Sequence, residues 1–454
     1  MKKPYLVIII SLLIIESCKK DVNINNNGNQ FLSSKPAKSF DGAFIRSYYD
    51  LTCKIVKGTP GFFPPQASRA YAYISIASYE SAVPGISSSG SLAGQLNGLS
   101  AGSLPKPVDG QEYNWAISSN AATSEMIRRM FEINITKDNA TAIDNLETQN
   151  KSSLSAGVSN DVITRSEAFG KSIAAAIYNY SKTDGGYQSY LDPFQLPYTL
   201  PTGPDQWVPT GPVLSPVSPK WGANRPFITA DIMATDPPPC YPFSTDSSSL
   251  IYKDAMKVYV QVKHNTTEQI NITKFWADDP FNTCTPTGHT LNILSGLLDD
   301  SHADLAKTVL AYAHMGVAEN DAFIACWKCK YKTNLLRPVT YINRYIDASF
   351  TTVIGTPPFP AYVSGHSVEI GAGDAIFTML FTNGDGIYPV TDRSQVQYGF
   401  NVRSWKSFDE MAKECADSRF YGGIHFQQDN QFGLEQGKKI GTNVNTMIQW
   451  PQNI

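Results

Sequence analysis

The stretch that decides the fold reads ADLAKTVLAYAHMGVAENDAFIACWKCKYKTNLLRP, residues 303–338. Apolar side chains return through it at helical spacing. It reads as two successive helices, Ala303–Met315 and Val317–Cys329, running into a cluster of cations. The same period recurs on both sides. Gln66–Val83 and Trp115–Phe131 carry it, and Asn160–Lys182 sets Ile163, Phe169, Ile173, Ala176 and Ile177 on one stripe. Later come Leu291–Leu298, Ser364–Phe381 and Phe432–Met447. Strand signals are short and weak, and no internal repeat is visible. The expectation is an all-α protein made of two packed helical bundles.

Between the helical halves, Pro197–Pro226 and then Asp236–Pro242 bring proline or glycine every few residues. Helices cannot continue through such spacing. Tyr198, Trp207, Trp221 and Phe227 favour order here, so the region reads as an ordered loop covering one side of the body or as a boundary between halves. At 454 residues the chain can bury a large core. Its net charge of −3 lacks the basic excess of a nucleic-acid binder.

The N-terminus has the form of an export signal. Lys2 and Lys3 precede an apolar run, Tyr5–Ile15, followed by Glu16, Ser17 and Cys18. The run is too short to span a bilayer comfortably. Cys18 after Ser17 resembles a bacterial lipoprotein signal, with Cys18 as the lipidated residue; the alternative is an ordinary cleaved signal. The domain reading is a signal over 1–18, a polar tether over 19–35 and a helical body over 36–454, with the chemistry at about 285–450. The expected location is the periplasm or cell envelope, with membrane contact only through the lipid. Export permits disulfides. Six cysteines follow Cys18, and their pairing is not readable from sequence.

Cys326-Trp327-Lys328-Cys329 has the spacing of a redox or metal motif. A redox pair belongs at a helix start after a strand, and a zinc site needs two more ligands. Neither context is present, so Cys326 and Cys329 read as packing residues one helical turn apart, with a bridge to another cysteine as the alternative.

Three clusters carry the chemistry: Lys330 with Arg337-Pro338; Ser364-Gly365-His366; and Ser418-Arg419 followed by Tyr421-Gly422-Gly423-Ile424-His425. Arginine presents a planar fork of donors and lysine a compact charge, both suited to a tetrahedral oxyanion. Ser364 and Gly365 stand where a helix should begin, with free N–H groups and the positive end of its dipole. The inference is a pocket for phosphate or something phosphate-shaped, with His366 and His425 for covalent or proton-transfer work.

The ordered set resembles the signature of the vanadium-dependent haloperoxidase and type 2 phosphatidic-acid-phosphatase superfamily. That signature is Lys, six residues, Arg-Pro; then Pro-Ser-Gly-His; then Ser-Arg, five residues, His. Here it reads KYKTNLLRP, VSGH and SRFYGGIH, with Val363 in place of the proline. Phe359, seven residues before His366, and Trp327, three before Lys330, look like the haloperoxidase form, in which aromatics wall a halide pocket. The resemblance implies vanadate (vanadium +5) as cofactor, His425 as its protein ligand, and Lys330, Arg337, Ser364, Gly365 and Arg419 as partners of its oxygens. It implies His366 as general acid–base and Lys330 as the group that polarises peroxide. Hydrogen peroxide and halide would be the substrates, with a small organic acceptor and homo-oligomers as further expectations. Asp278, in FWADDP, is a candidate to hold one of the arginines, and a helix cap or a surface charge is the alternative reading. The rival readings are a periplasmic acid phosphatase using the same pocket and a non-catalytic ligand-binding lipoprotein.

Overall fold

A computed structural model describes residues 22–24, 30–32, 34–87 and 90–451; the signal read over 1–18, with Cys18, lies outside them. Among the described residues the only strands form two short antiparallel hairpins. One, β1 (Val22–Ile24) with β2 (Gln30–Leu32), falls in the segment read as a tether. The other, β3 (Val390–Asp392) with β4 (Arg403–Trp405), pairs Val390 with Trp405. Everything else is helix and ordered loop, as the periodicity implied.

The N-terminal bundle comprises α1 (Ala43–Gly58), α2 (Pro64–Ala82), α3 (Trp115–Met130), α4 (Lys137–Leu154) and α5 (Asn160–Ser181). Every residue of α2 is buried. Its alanines and serines let neighbours approach on all sides, so it packs on α3 and α5 and also reaches across to the second bundle. The second bundle comprises α6 (Thr229–Met233), α7 (Leu250–Lys263), α8 (Thr267–Phe275), α9 (Thr285–Asp300), α10 (Leu305–Thr333), α11 (Pro338–Tyr345), α12 (Gly365–Phe381), α13 (Phe408–Tyr421) and α14 (Gln427–Met447). No helix among the described residues is long and apolar enough to cross a membrane.

The two helices expected over 303–329 are one helix, α10, of 29 residues. Asp304 caps its start, accepting from Lys307 N–H at 2.9 Å, and Asn334 ends it in the left-handed region at φ 49°. Gly316 does not break it. A Cβ there would lie 2.2 Å from Ser75 Oγ of α2, so the glycine serves the close approach of α10 to α2. α12 and α14 meet through a similar seam, where a Cβ on Gly437 would lie 2.0 Å from Val368 O.

The proline-rich loop is ordered against the end of α10. Trp207 N–H donates to Asn334 O at 2.8 Å, Leu336 N–H to Asp205 O at 2.8 Å, and Val217 N–H to Pro358 O at 2.9 Å. Trp207 and Trp221 are buried beneath it. It therefore covers one side of the body, and that side is the one carrying the cation clusters. Cys326 and Cys329 are buried and free, as packing residues should be; the other described cysteines are free as well.

Candidate active site

The end of α10, the start of α12 and the α13–α14 junction converge. Lys330 is fully buried in the last turn of α10, and its Nζ donates to Pro360 O (2.9 Å) and Ala361 O (3.0 Å). Arg337 caps α11. Its Nε and Nη2 donate to Phe359 O (3.0 and 2.8 Å), and its Nη1 donates to Ile424 O (2.9 Å) and towards His425 Nε2 (3.0 Å). Arg419 closes α13 and donates from Nη1 to Trp276 O at 2.7 Å. Among the described residues no carboxylate lies within ion-pair distance of any of the three cations. Burial pushes all three below their ordinary proton affinities, with Lys330 brought to about 8. The three buried cations donate to carbonyls and, from Arg337, to the His425 ring, and none is paired directly with a carboxylate.

Ser364 caps α12, with its N–H donating to Asp429 O at 3.0 Å. Ser364 Oγ, Arg419 Nε and His366 Nε2 are buried without a hydrogen-bond partner. An unfilled buried polar group costs about 1–3 kcal/mol, so the orphaned atoms of His366 and Arg419 on the cavity lining, with Ser364 Oγ next to Gly365, mark where a polar ligand belongs. Gly365 opens the same space. A Cβ there would meet nothing nearer than Trp327 Cζ3 at 3.7 Å, so the protein's own atoms do not demand the glycine and the volume stays open for a ligand. The donor set, the orphaned atoms and the start of the 17-residue α12 all fit a tetrahedral or five-coordinate oxyanion.

His425 follows α13 and precedes α14. Asp429 Oδ2 accepts from Phe426 N–H (3.1 Å) and faces His425 Nδ1 at 3.0 Å. An oxygen already accepting a backbone N–H makes His425 Nδ1 the donor. That tautomer leaves Nε2 unprotonated, and the donor that faces its lone pair here is Arg337 Nη1 at 3.0 Å. Burial, then Arg337 and Lys330, hold the imidazole well below its usual proton affinity. Burial and neighbouring Asp254 push Asp429 up to about 8. Asp254 itself accepts from Gln427 and Gln428 N–H, both at 3.2 Å, and so fixes the start of α14.

His366 faces the cavity from the first turn of α12. Burial, then Arg419 and His289, lower its proton affinity well below the usual value, so it stands as a neutral base at neutral pH. Asp278 lies 3.7 Å from its Nε2. The expectation that Asp278 holds an arginine is corrected here: its close partner is His289 Nδ1, at 3.0 and 3.1 Å. Asp392 takes the other ring nitrogen of His289 at 2.8 Å. Burial alone would lower His289, but Asp278 and Asp392 outweigh it and raise it to about 10, making it an imidazolium between two carboxylates. Trp276 stacks on the ring with centroids 4.6 Å apart.

The cavity in front of these groups is about 360 Å³, lined by Gly365, His366, Arg419 and His425 on one side and by Trp327 and Phe359 on the other. The two aromatic rings lie 4.9 Å apart, and Lys330 Nζ sits 5.0 Å from the Phe359 centroid. Trp327 Nε1 donates to Val217 O at 3.2 Å, so the proline-rich loop holds this wall. All nine predicted pocket residues thus converge, Lys330, Arg337 and Ser364 from behind the lining. Sequence reasoning missed His289, Asp392, Asp429 and Asp254. Asp429, four residues after His425 at a helix start, was recoverable from that spacing. Asp392 was not, since 103 residues separate it from His289.

The model of the VCPO second helical-bundle domain matches residues 310–453. A bacterial vanadium-dependent iodoperoxidase structure is similar at 32% identity and TM-score 0.81, covering 90% of this chain and 97% of that one. A holo-type bacterial vanadium-dependent chloroperoxidase shares the fold at 14% identity and TM-score 0.63, covering 87% and 95%. No curated protein matches the sequence.

Proposed function

The chain belongs to the vanadium-dependent haloperoxidases, and on that premise we propose that it uses vanadate and hydrogen peroxide to oxidise halide, with iodide favoured. The observation that carries the reading is the set of three buried cations without a carboxylate, beside three orphaned polar atoms. Vanadate, when bound, supplies a Lewis-acidic +5 centre at which peroxide is activated without a change in metal oxidation state. His425 Nε2 would be the ligand atom, kept unprotonated by the Nδ1 bond to Asp429, with Arg337 Nη1 turning from it to the oxyanion. Lys330, Arg337, Arg419, Ser364 Oγ and the N–H of Gly365 would hold the oxyanion and spread its charge. His366 would take the proton of incoming peroxide at Nε2, which makes no hydrogen bond within the protein. Trp327 and Phe359 would exclude water and present an apolar, polarisable wall. Iodide, the large and weakly hydrated halide, suits such a wall best, and the iodoperoxidase similarity supports the same choice. Lys2, Lys3 and the apolar run before Cys18 support export with lipid anchoring as part of this proposal.

The test uses phosphate-free protein with orthovanadate, hydrogen peroxide and each halide in turn, with phosphoester hydrolysis assayed alongside. Vanadate-dependent oxidation, fastest with iodide and reduced at least ~100-fold in His425→Ala, is the expected result. Hydrolysis without peroxidase activity would replace the reading with the phosphatase one.

A further inference from the structure

The mechanism leaves one pair of reactive side chains unused. Cys53 lies on α1 and Cys284 is the residue before α9, 231 positions away in sequence. The fold brings both thiols onto one side chain, Asn292, which bonds each of them. Cys53 Sγ donates to Asn292 Oδ1 at 3.4 Å, and Asn292 Nδ2 donates to Cys284 Sγ at 3.5 Å. Tyr71 OH bonds Cys53 Sγ at 3.5 Å and Cys284 O at 3.4 Å. Both thiols are buried, but Cys53 forms the floor of a second cavity of about 330 Å³ that also holds Asp50, Lys54, Lys57, Asn292 and Tyr398.

The other described cysteines offer no equal pair. Cys326 and Cys329 share one helix, three residues apart. Helical neighbours at that spacing keep their Cβ atoms about 5–6 Å apart, whereas a disulfide brings them to about 3.8 Å. Cys240 and Cys415 have no thiol partner among the described residues.

We propose that Cys53 and Cys284 are a redox modification site that closes to a disulfide under the peroxide or hypohalous acid of the enzyme's own reaction. Cys53, on the cavity floor beside two lysines, meets the oxidant first. Its sulfur takes halogen from hypohalous acid and water is released with the thiol proton. Cys284 sulfur then attacks the sulfur–halogen bond, forming the S–S bond and releasing halide and its own proton. With hydrogen peroxide, two thiols give the disulfide and two waters. Either way two electrons pass to the oxidant. The bond ties α1 to the start of α9, which carries His289 one turn on. It also anchors the loop holding Asp278. The disulfide therefore protects the alignment behind His366 in a protein that makes an oxidant. Its choice of oxidant rests on the haloperoxidase reading, but the pairing itself does not.

The experiment takes the full chain, reduced and then freed of reductant, and adds stoichiometric hydrogen peroxide or hypohalous acid. The expected products are a Cys53–Cys284 linked peptide, reversed by reductant, and a melting temperature raised by roughly 5 °C. A Cys53→Ala variant should keep peroxidase activity and lose the temperature rise. Peptides in which both thiols remain separately alkylated, or bonds formed elsewhere, would overturn the proposal. Added oxidant bypasses turnover, so an inactive chain would still form the bridge, while an active chain with unlinked thiols would refute the pairing alone.

Discussion

Arg69 in the N-terminal bundle and Arg419 in the second bundle are both buried, and their surroundings differ. Arg69 Nε donates to Asp184 at 2.7 Å, Nη2 donates to Ser181 O at 2.6 Å, and Tyr73 OH donates to the same carboxylate at 2.9 Å. Burial would lower Arg69, yet Asp184 outweighs it and raises its proton affinity. Arg419 has one carbonyl and an unfilled Nε, and burial lowers it. Lys330 and Arg337 are treated like Arg419. In the first bundle Arg69 is neutralised where it is buried. The other leaves charge exposed to a cavity, a state that costs folding free energy and is recovered when an anion binds.

Replacement by methionine gives the sharpest break between the two regions. Arg69→Met strands Asp184 and should cost about 3–5 kcal/mol of stability. Arg419→Met removes an uncompensated cation and should stabilise the vanadate-free protein by about 1–3 kcal/mol, while abolishing most vanadate-dependent turnover. Urea titration of both variants measures this; equal destabilisation would erase the distinction. Next in size is the ligand itself. Orthovanadate at 100 times its Kd should stabilise the wild type by about 2.7 kcal/mol, read by thermal shift. The increase should vanish in Arg419→Met and survive in any N-terminal variant that folds.

A third break concerns His289, the buried cation of the site region with carboxylates in direct contact. Its folded proton affinity, about 10, lies above the ordinary histidine value of 6.5. The stability it contributes is therefore complete below pH 6.5 and is lost as pH rises through 10. Wild type should show a falling melting temperature across that window, and His289→Gln should flatten this component. An unchanged profile in the variant would mean that Asp278 and Asp392 are not held by its charge.

Much of the site was legible because its ligands travel in short runs. Lys330 and Arg337 flank the end of one helix, Ser364 to His366 open another, and Arg419 and His425 bracket a tight junction. Local spacing reports such groups directly. The unbroken course of α10 past Gly316 was not legible, because a glycine there signals a break unless a neighbouring helix is known to touch it. The role of Asp278 was misread for a related reason. Its residue type suggested a partner for one of the arginines, while the fold supplied His289 from α9.

By itself the sequence determined the helical class and marked the three clusters of cations and histidines with the two aromatics near them, since helical period and short-range spacing are properties of the chain. Only the tertiary structure decided that the three cations have no carboxylate in ion-pair contact, that His289 lies between carboxylates 114 residues apart, and that Cys53 and Cys284 share Asn292. Those facts depend on burial and on contacts between distant segments. A side chain's charge balance is set by what surrounds it in space, and that is fixed when the bundles pack.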